Sequence, residues 1–285
     1  MSKPSSAEAP APETDLITPK RLLINAGLLV ALVSPLLHAQ APSYAASSSG
    51  SVDATSATAL SDPLASPRWE DMRQTFFPGA EVVFDERVRV SAPSTAEDAL
   101  NVPVAVDLRK LPAVEEVIVF ADFNPIVRAL SYEPGYGQSG LAFRLKLQQS
   151  TPVRAAARTA DGRWHVGGTW VNTTGGGCTL PSTGAGSPEW QQRLNEVSAR
   201  QWPRIDGGTR LRLQIVHPMD TGLAAGIPAF HIETLDLSTA EGTRLMRIRP
   251  AEPVSENPLF TIDIPATTMT KGSLLISGQD NNGNP

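Results

Sequence analysis

The chain has 285 residues, 41% of them hydrophobic, with 24 Lys and Arg against 29 Asp and Glu and a net charge of -5. It is long enough to bury one large core or two small ones, and without a basic block it has no electrostatic draw to nucleic acid or an anionic membrane. A single cysteine, Cys178, excludes a disulfide framework and a zinc site built on several thiolates, while 22 Gly, 25 Pro and 19% charged residues favour short strands and turns over a helical bundle.

Residues 1–45 read as a signal peptide. A polar leader ends at Lys20-Arg21, and the apolar run from Leu22 to Leu37, broken by Asn25, Gly27, Ser34 and Pro35, is short of the ~20 apolar residues of a membrane span. Small residues follow, with Ser43-Tyr44-Ala45 as the expected cleavage motif, so no membrane contact is expected once the leader is gone. Lys3, Lys20 and Arg21 balance Glu8, Glu13 and Asp15, so the acidic character belongs to the folded part.

Residues 46–66, rich in Ser, Ala, Thr and Pro, predict a flexible tether. Pro67 to Phe77 predicts a short helix with Trp69, Met72 and Phe76 on one face. The period then switches to two. Val82, Phe84, Val88 and Val90 give an imperfect strand, and Val102, Val104, Val106 and Leu108 a clean one. Val114 to Phe123 is a denser run, as in a strand covered on both faces. Leu141, Phe143, Leu145 and Leu147 alternate with Ala142, Arg144, Lys146 and Gln148, which are expected to face water. Asp161-Gly162 closes a hairpin between Val153–Arg158 and Trp164–Val171. Asn172 to Gly186 has neither apolar periodicity nor charge and is expected to add nothing to a core. Ser187 as N-cap, Pro188 at the first position and Trp190, Leu194 and Val197 at helical spacing predict a helix over 188–200. From near Arg204, short strands recur around Leu211–Ile215, Ile232–Leu237, Leu245–Ile248, Leu259–Ile264 and Leu274–Ile276. The expected fold class is all-β: two immunoglobulin-like antiparallel sandwiches, 67–174 and 204–285, joined by a Gly-rich cysteine arm and linker helix, 175–203.

The chemistry centres on Gly175-Gly176-Gly177-Cys178. Three glycines are entropically costly to order and gain a core nothing; before a thiol they let it swing and let another protein close over a bare backbone. Half the contour of a loop from Val171 to Pro188, about 8 residues at ~3.3 Å each, lets the sulfur travel ~25 Å. No Lys, Arg or His lies between Asn172 and Gly186, so nothing local lowers the thiol pKa from ~8.5, and a partner is expected to activate it. His217, Met219, His231 and Met246 suggest a soft-metal, copper-handling alternative, against the simpler reading of a His-Pro turn and core-filling methionines; no metal site is assigned. His165 reads as a strand residue. Glu115-Glu116 and Glu70-Asp71 are adjacent, which in a strand sends them to opposite faces, wrong for shared acid-base work. Trp164, Trp170, Trp190 and Trp202 flank the cysteine segment and suggest a minor core or a packing surface for the linker helix.

The strand Val102–Leu108, Asn124-Pro125 after Val117–Ala121, the strand Leu141–Leu147, the Asp161-Gly162 hairpin and the glycines before Cys178 together resemble SoxY, the sulfur-carrying subunit of periplasmic thiosulfate oxidation. His217-Pro218-Met219-Asp220-Thr221-Gly222, Ile227-Pro228-Ala229-Phe230-His231 and Glu256-Asn257-Pro258-Leu259 resemble its partner subunit SoxZ. The resemblance implies a periplasmic, non-catalytic carrier that holds a covalent sulfur adduct on Cys178 without other cofactor. Its implied partners are periplasmic sulfur-oxidising enzymes, c-type cytochromes or a quinoprotein dehydrogenase. One departure stands out: the SoxY arm ends its chain as Gly-Gly-Cys-Gly-Gly, whereas Cys178 is followed by Thr179-Leu180-Pro181 and a second domain, making the arm a loop held at both ends. The alternative function is an accessory module that docks a periplasmic dehydrogenase without carrying sulfur.

Overall fold

Alternating apolar and polar residues put nearly half of the described residues into strands in the computed structural model, which describes residues 61–137, 140–184, 188–268 and 274–285. The expected signal peptide and residues 46–60 of the expected tether lie outside the described residues. Residues 61–66 of that tether are docked rather than free, because Asp62 meets Arg154 at 2.7 Å and the Trp170 indole donates to Leu64 O at 2.8 Å.

Helix α1 (Trp69–Phe76) lies where its apolar spacing places it and is followed by β1 (Val82–Phe84), β2 (Arg89–Ser91), β3 (Thr95–Ala96), β4 (Val102–Asp107), β5 (Val114–Ala121), β6 (Arg128–Glu133), β7 (Leu141–Leu145), β8 (Thr151–Thr159) and β9 (Trp164–Thr173). Then come α2 (Pro188–Gln192), β10 (Val197–Pro203), β11 (Thr209–Ile215), β12 (Asp220–Thr221), β13 (Ala229–Phe230), β14 (Ile232–Thr239), β15 (Arg244–Pro250), β16 (Leu259–Ile264) and β17 (Leu274–Asp280).

The expected all-β class of immunoglobulin-like sandwich is what forms, antiparallel except where β1 and β3 pair parallel with β9, with strand pairing that crosses between its halves. One sheet runs β1-β9-β8-β5-β6-β15-β14-β17, with β3 beside β9, and the other β10-β11-β16-β7-β4-β2. β6 pairs with β15, setting Tyr132 against Ile248, and β7 pairs with β16, setting Leu141 against Ile262. Each half would otherwise leave an open row of N–H and C=O groups at β6 and β7, and the neighbouring half satisfies both. Between the sheets one apolar core continues from Val102 through Leu130 and Leu213 to Ile264. A smaller core forms where α1 lays Trp69 and Met72, with Phe77 after it, on Phe120, Trp164 and Val166. This covers β5 on its second face and explains its dense apolar run.

The helix expected over 188–200 stops at Gln192. Asn195 takes a left-handed φ of 62°, and Val197–Pro203 pairs residue for residue with β11. Trp190, Leu194 and Val197 have helical spacing, but a short helix gains little in water, whereas the β11 edge offers a backbone ladder seven residues long. Glu115 and Glu116 also depart from expectation. A register shift in the β5–β8 pairing between Val114 and Glu116 brings both carboxylates to Arg158, at 2.7 and 3.4 Å. The tryptophans form no common cluster: Trp164 joins the α1 core, Trp170 meets Leu64 and Phe123, Trp190 faces Phe230, and Trp202 lies under Arg212. No helix among the described residues is long and apolar enough to cross a membrane.

Candidate functional site

The segment after β9 does not stand away from the fold. Cys178 is 0% exposed, which corrects the expectation that Asn172–Gly186 adds nothing to the interior. The reason lies in the backbone beyond β7, where residues 146–148 leave the ladder and turn their polar groups toward the arm. Gly176 N–H donates to Gln148 O and Gly177 N–H to Leu147 O, each at 3.0 Å. Cys178 N–H donates to Gln148 Oε1 at 3.2 Å and its thiol to Lys146 O at 3.6 Å. Asn124, 1% exposed, holds that acceptor segment in place: its amide donates to Lys146 O and accepts from Gln148 N–H, both at 2.9 Å. Asn124-Pro125 thus supports the arm from beneath.

In this docked posture the glycines allow close approach to neighbouring backbone. Gly175 and Gly176 have φ of 83° and 87°, where a side chain is strained, and a Cβ at Gly177 would lie 2.2 Å from Ala99 O. Gly177→Ala is expected to cost the docked arm on the order of 2 kcal/mol, so that a thiol reagent labels Cys178 about 30 times faster at unchanged fold stability. Labelling rate and thermal midpoint of the two proteins check this, and an unchanged rate refutes it.

Downstream of the thiol, the second half of the chain grips the arm. Thr221 Oγ1 donates to Cys178 O at 2.6 Å. Asp220 accepts from Ser182 N–H and Oγ–H at 2.9 and 3.1 Å. Glu256 accepts from Thr183 N–H and Oγ–H at 2.8 Å each and from Gly184 N–H at 2.9 Å. Asp220 and Thr221 belong to the His-Pro-Met-Asp-Thr-Gly motif, and Glu256 opens Glu-Asn-Pro-Leu, so both motifs act here as acceptors and donors for the arm.

Lys146 was expected on a water-facing register, but β7 ends at Leu145 and the side chain turns inward, 3% exposed. Its ammonium donates to Met219 O and, at 3.4 Å, to Glu252 O, and among the described residues no carboxylate lies within 4 Å of it. Burial pulls its pKa down to about 8, against the pull of Asp220 and Cys178. Burial likewise pushes the Cys178 thiol up to about 11, with Lys146 opposing. Sequence reading missed this cation because it looked only along the arm; the signal available was the single Lys at the end of an otherwise alternating strand.

The soft-metal candidates are neighbours already committed to the protein. His217, 0% exposed and held neutral by burial at a pKa of about 4, accepts from Met219 N–H through Nδ1 at 3.1 Å. Met219 Sδ accepts from Ile232 N–H at 3.4 Å, His231 Nδ1 stands 3.9 Å from Glu252, and Met246 lies in the core on β15. No group of three or more His, Cys, Asp or Glu among the described residues is placed to hold a metal. His165 sits on β9 between Asp85, at 2.7 Å, and Thr159, at 3.3 Å.

Comparison with known families matches residues 73–178 to sulfur oxidation protein SoxY and residues 200–285 to sulphur oxidation protein SoxZ. The first match ends on Cys178. Among solved structures, the sulfur carrier protein SoxY from Chlorobium limicola f thiosulfatophilum is 17% identical, with a TM-score of 0.34 over 38% of this chain and 96% of that one. A chicken TCR is 10% identical, with a TM-score of 0.21 over 69% of this chain and 100% of that one. No curated protein matches the chain.

Proposed function

Because the chain belongs to the SoxY and SoxZ sulfur-oxidation families, as a SoxY domain followed by a SoxZ domain in one fused SoxYZ-like protein, we propose that it is a periplasmic covalent sulfur carrier with Cys178 as its attachment point. The observation that carries this reading is the position of Cys178: it closes the SoxY match, it is the sole cysteine, and it lies on a glycine arm gripped by the motifs of the SoxZ half. Loading joins Cys178 Sγ to the terminal sulfur of hydrosulfide or thiosulfate, whatever protons the two sulfurs carry being released and two electrons passing to a redox partner such as a c-type cytochrome or a quinoprotein dehydrogenase. A partner enzyme later reduces that S–S bond or, in the sulfonated adduct, hydrolyses the bond between the outer sulfur and its sulfonate. The docked thiol is buried and neutral at physiological pH. Chemistry therefore follows undocking, and the docked posture shields the free thiol from exchange in an oxidising compartment.

Intact mass of protein purified from its native source under active sulfur metabolism is expected to show one added sulfur or a sulfonated sulfur, lost on reduction and absent from Cys178→Ala. Unmodified thiol throughout would overturn the reading. The buried, weakly acidic thiol favours one second reading, an accessory module whose cysteine only packs; Cys178→Ala would then leave partner binding and pathway flux unchanged.

A further inference from the structure

On the outer face of the six-stranded sheet, strand pairing sets side chains in rows. Arg200 lies opposite Arg212, Arg212 opposite Thr261, Thr261 opposite Ala142, Ala142 opposite Ala105 and Ala105 opposite Ser91. The small side chains of that row floor a furrow across the strands, flanked by Arg144 on one side and by Arg109 and Arg210 with their carboxylate partners Asp107 and Asp263 on the other, and the row ends in Arg212 and Arg200. Flanking rows carry Trp202 opposite Arg210, Arg144 opposite Pro103 and Arg89 opposite Asp107.

The arginines of this face are unusual within the molecule. Most described arginines reach a carboxylate within 4 Å. Among the described residues Arg89, Arg128, Arg144, Arg200 and Arg212 do not, and all but Arg128 stand on this one face. Arg200 and Arg212 are direct cross-strand neighbours, a destabilising arrangement of like charges, eased only by Arg212 stacking 5.4 Å over the exposed Trp202. This occurs in a chain whose net charge is -5. β10 is also exposed at every position and, among the described residues, pairs only with β11. Ser198 and Gln214, at the edge of the face, line the hollow where Gly184 of the arm meets Glu256, so the cationic face runs up to the grip on the arm.

We infer that this face docks an acidic surface of the protein that acts on Cys178, with the furrow seating an extended acidic segment and the unpaired arginines setting its register. Only the task given to that partner rests on the carrier reading; its charge is argued from the face alone. The probe is a fluorescently labelled decaglutamate peptide titrated with the full chain in low salt. Saturable binding is expected, weakening as salt rises, and about tenfold weaker in the triple variant R144E/R200E/R212E. The neutral triple variant R144Q/R200Q/R212Q should fall between, and Arg128→Glu, on the other sheet, should bind as the wild type does. Absence of binding at low salt, or an equal loss in Arg128→Glu, overturns the inference. So does salt-sensitive self-association in sedimentation that the triple variant abolishes, which assigns the face to a second copy. Cys178→Ala is expected to bind the peptide normally. A protein that binds the peptide through this face but never carries sulfur removes the carrier reading alone; one that carries sulfur but does not bind removes the docking face alone.

Discussion

Glu256→Ala is expected to raise the rate at which a thiol reagent labels Cys178 at pH 8 by about 30- to 150-fold, with little change in the thermal midpoint of the sandwich. Glu256 accepts three hydrogen bonds from the arm, two from Thr183 and one from Gly184, and it is itself only half-buried. Hydrogen bonds to a charged group contribute about 1.5–3 kcal/mol each when fully satisfied in a protected site. Partial exposure lowers that sum, so a loss of about 2–3 kcal/mol from the docked state is a reasonable magnitude, and local opening shifts by the corresponding factor. Glu256→Gln retains acceptor oxygen without charge and should fall between. Asp220, which takes both donors of Ser182, makes the effect larger when removed as well.

The pH profile of the same reaction separates docking from mere access. Docking raises the thiol pKa from the ordinary 9.0 to about 11, because burial disfavours the thiolate. A raised pKa means that the docked state keeps its proton longer. The stability this gives to docking is complete below the free-thiol value and is lost as pH rises through about 11. Wild-type labelling should therefore climb steeply above pH 9, whereas the Glu256→Ala profile should turn over near the ordinary free-thiol value of 9.0. An unchanged rate together with an unchanged midpoint would show that the carboxylate does not hold the arm.

Much of this arrangement could be read from residues in order, and the rest could not, for a physical reason. The alternation Val102, Val104, Val106 and the run Leu211, Leu213, Ile215 state which side of a strand is buried, and the structure buries those sides. Alternation is silent about which strand lies next to which, so the pairings of β6 with β15 and β7 with β16 could not be read from it. It also fails at a strand's last residue, which is why Lys146 was placed in water. Helical spacing at Trp190, Leu194 and Val197 was real but shorter in reach than the open edge of β11. Glycines before a thiol speak equally for a free arm and for one pressed against backbone. Only the position of Ala99 O, fixed by residues far away in sequence, distinguishes the two.

The other large effect concerns the base on which the acceptor segment rests. Arg154→Met is expected to destabilise the fold by about 3–5 kcal/mol, on the order of 10 °C in thermal midpoint for a domain of this size. Arg154 is 1% exposed, bonds Asp122 at 3.0 Å and Asp62 at 2.7 and 2.8 Å, and lies 4.9 Å over the Trp69 ring. Methionine fills similar volume but leaves Asp122, 0% exposed, and Asp62 without their cation. Burial alone would raise the pKa of Asp62, yet the guanidinium and the N–H groups of Ser66 and Leu64 outweigh it and hold the carboxyl below its ordinary value. That contribution is present above the ordinary carboxylate value and fades as pH falls through the lowered one, so the gap between wild type and Arg154→Met in urea unfolding should narrow with acid. Asp122 immediately precedes Phe123-Asn124, and Asn124 holds residues 146–148 against the arm. Loosening the ion cluster should therefore also speed labelling of Cys178, and a variant that loses stability without any gain in labelling would show that the two sites are independent.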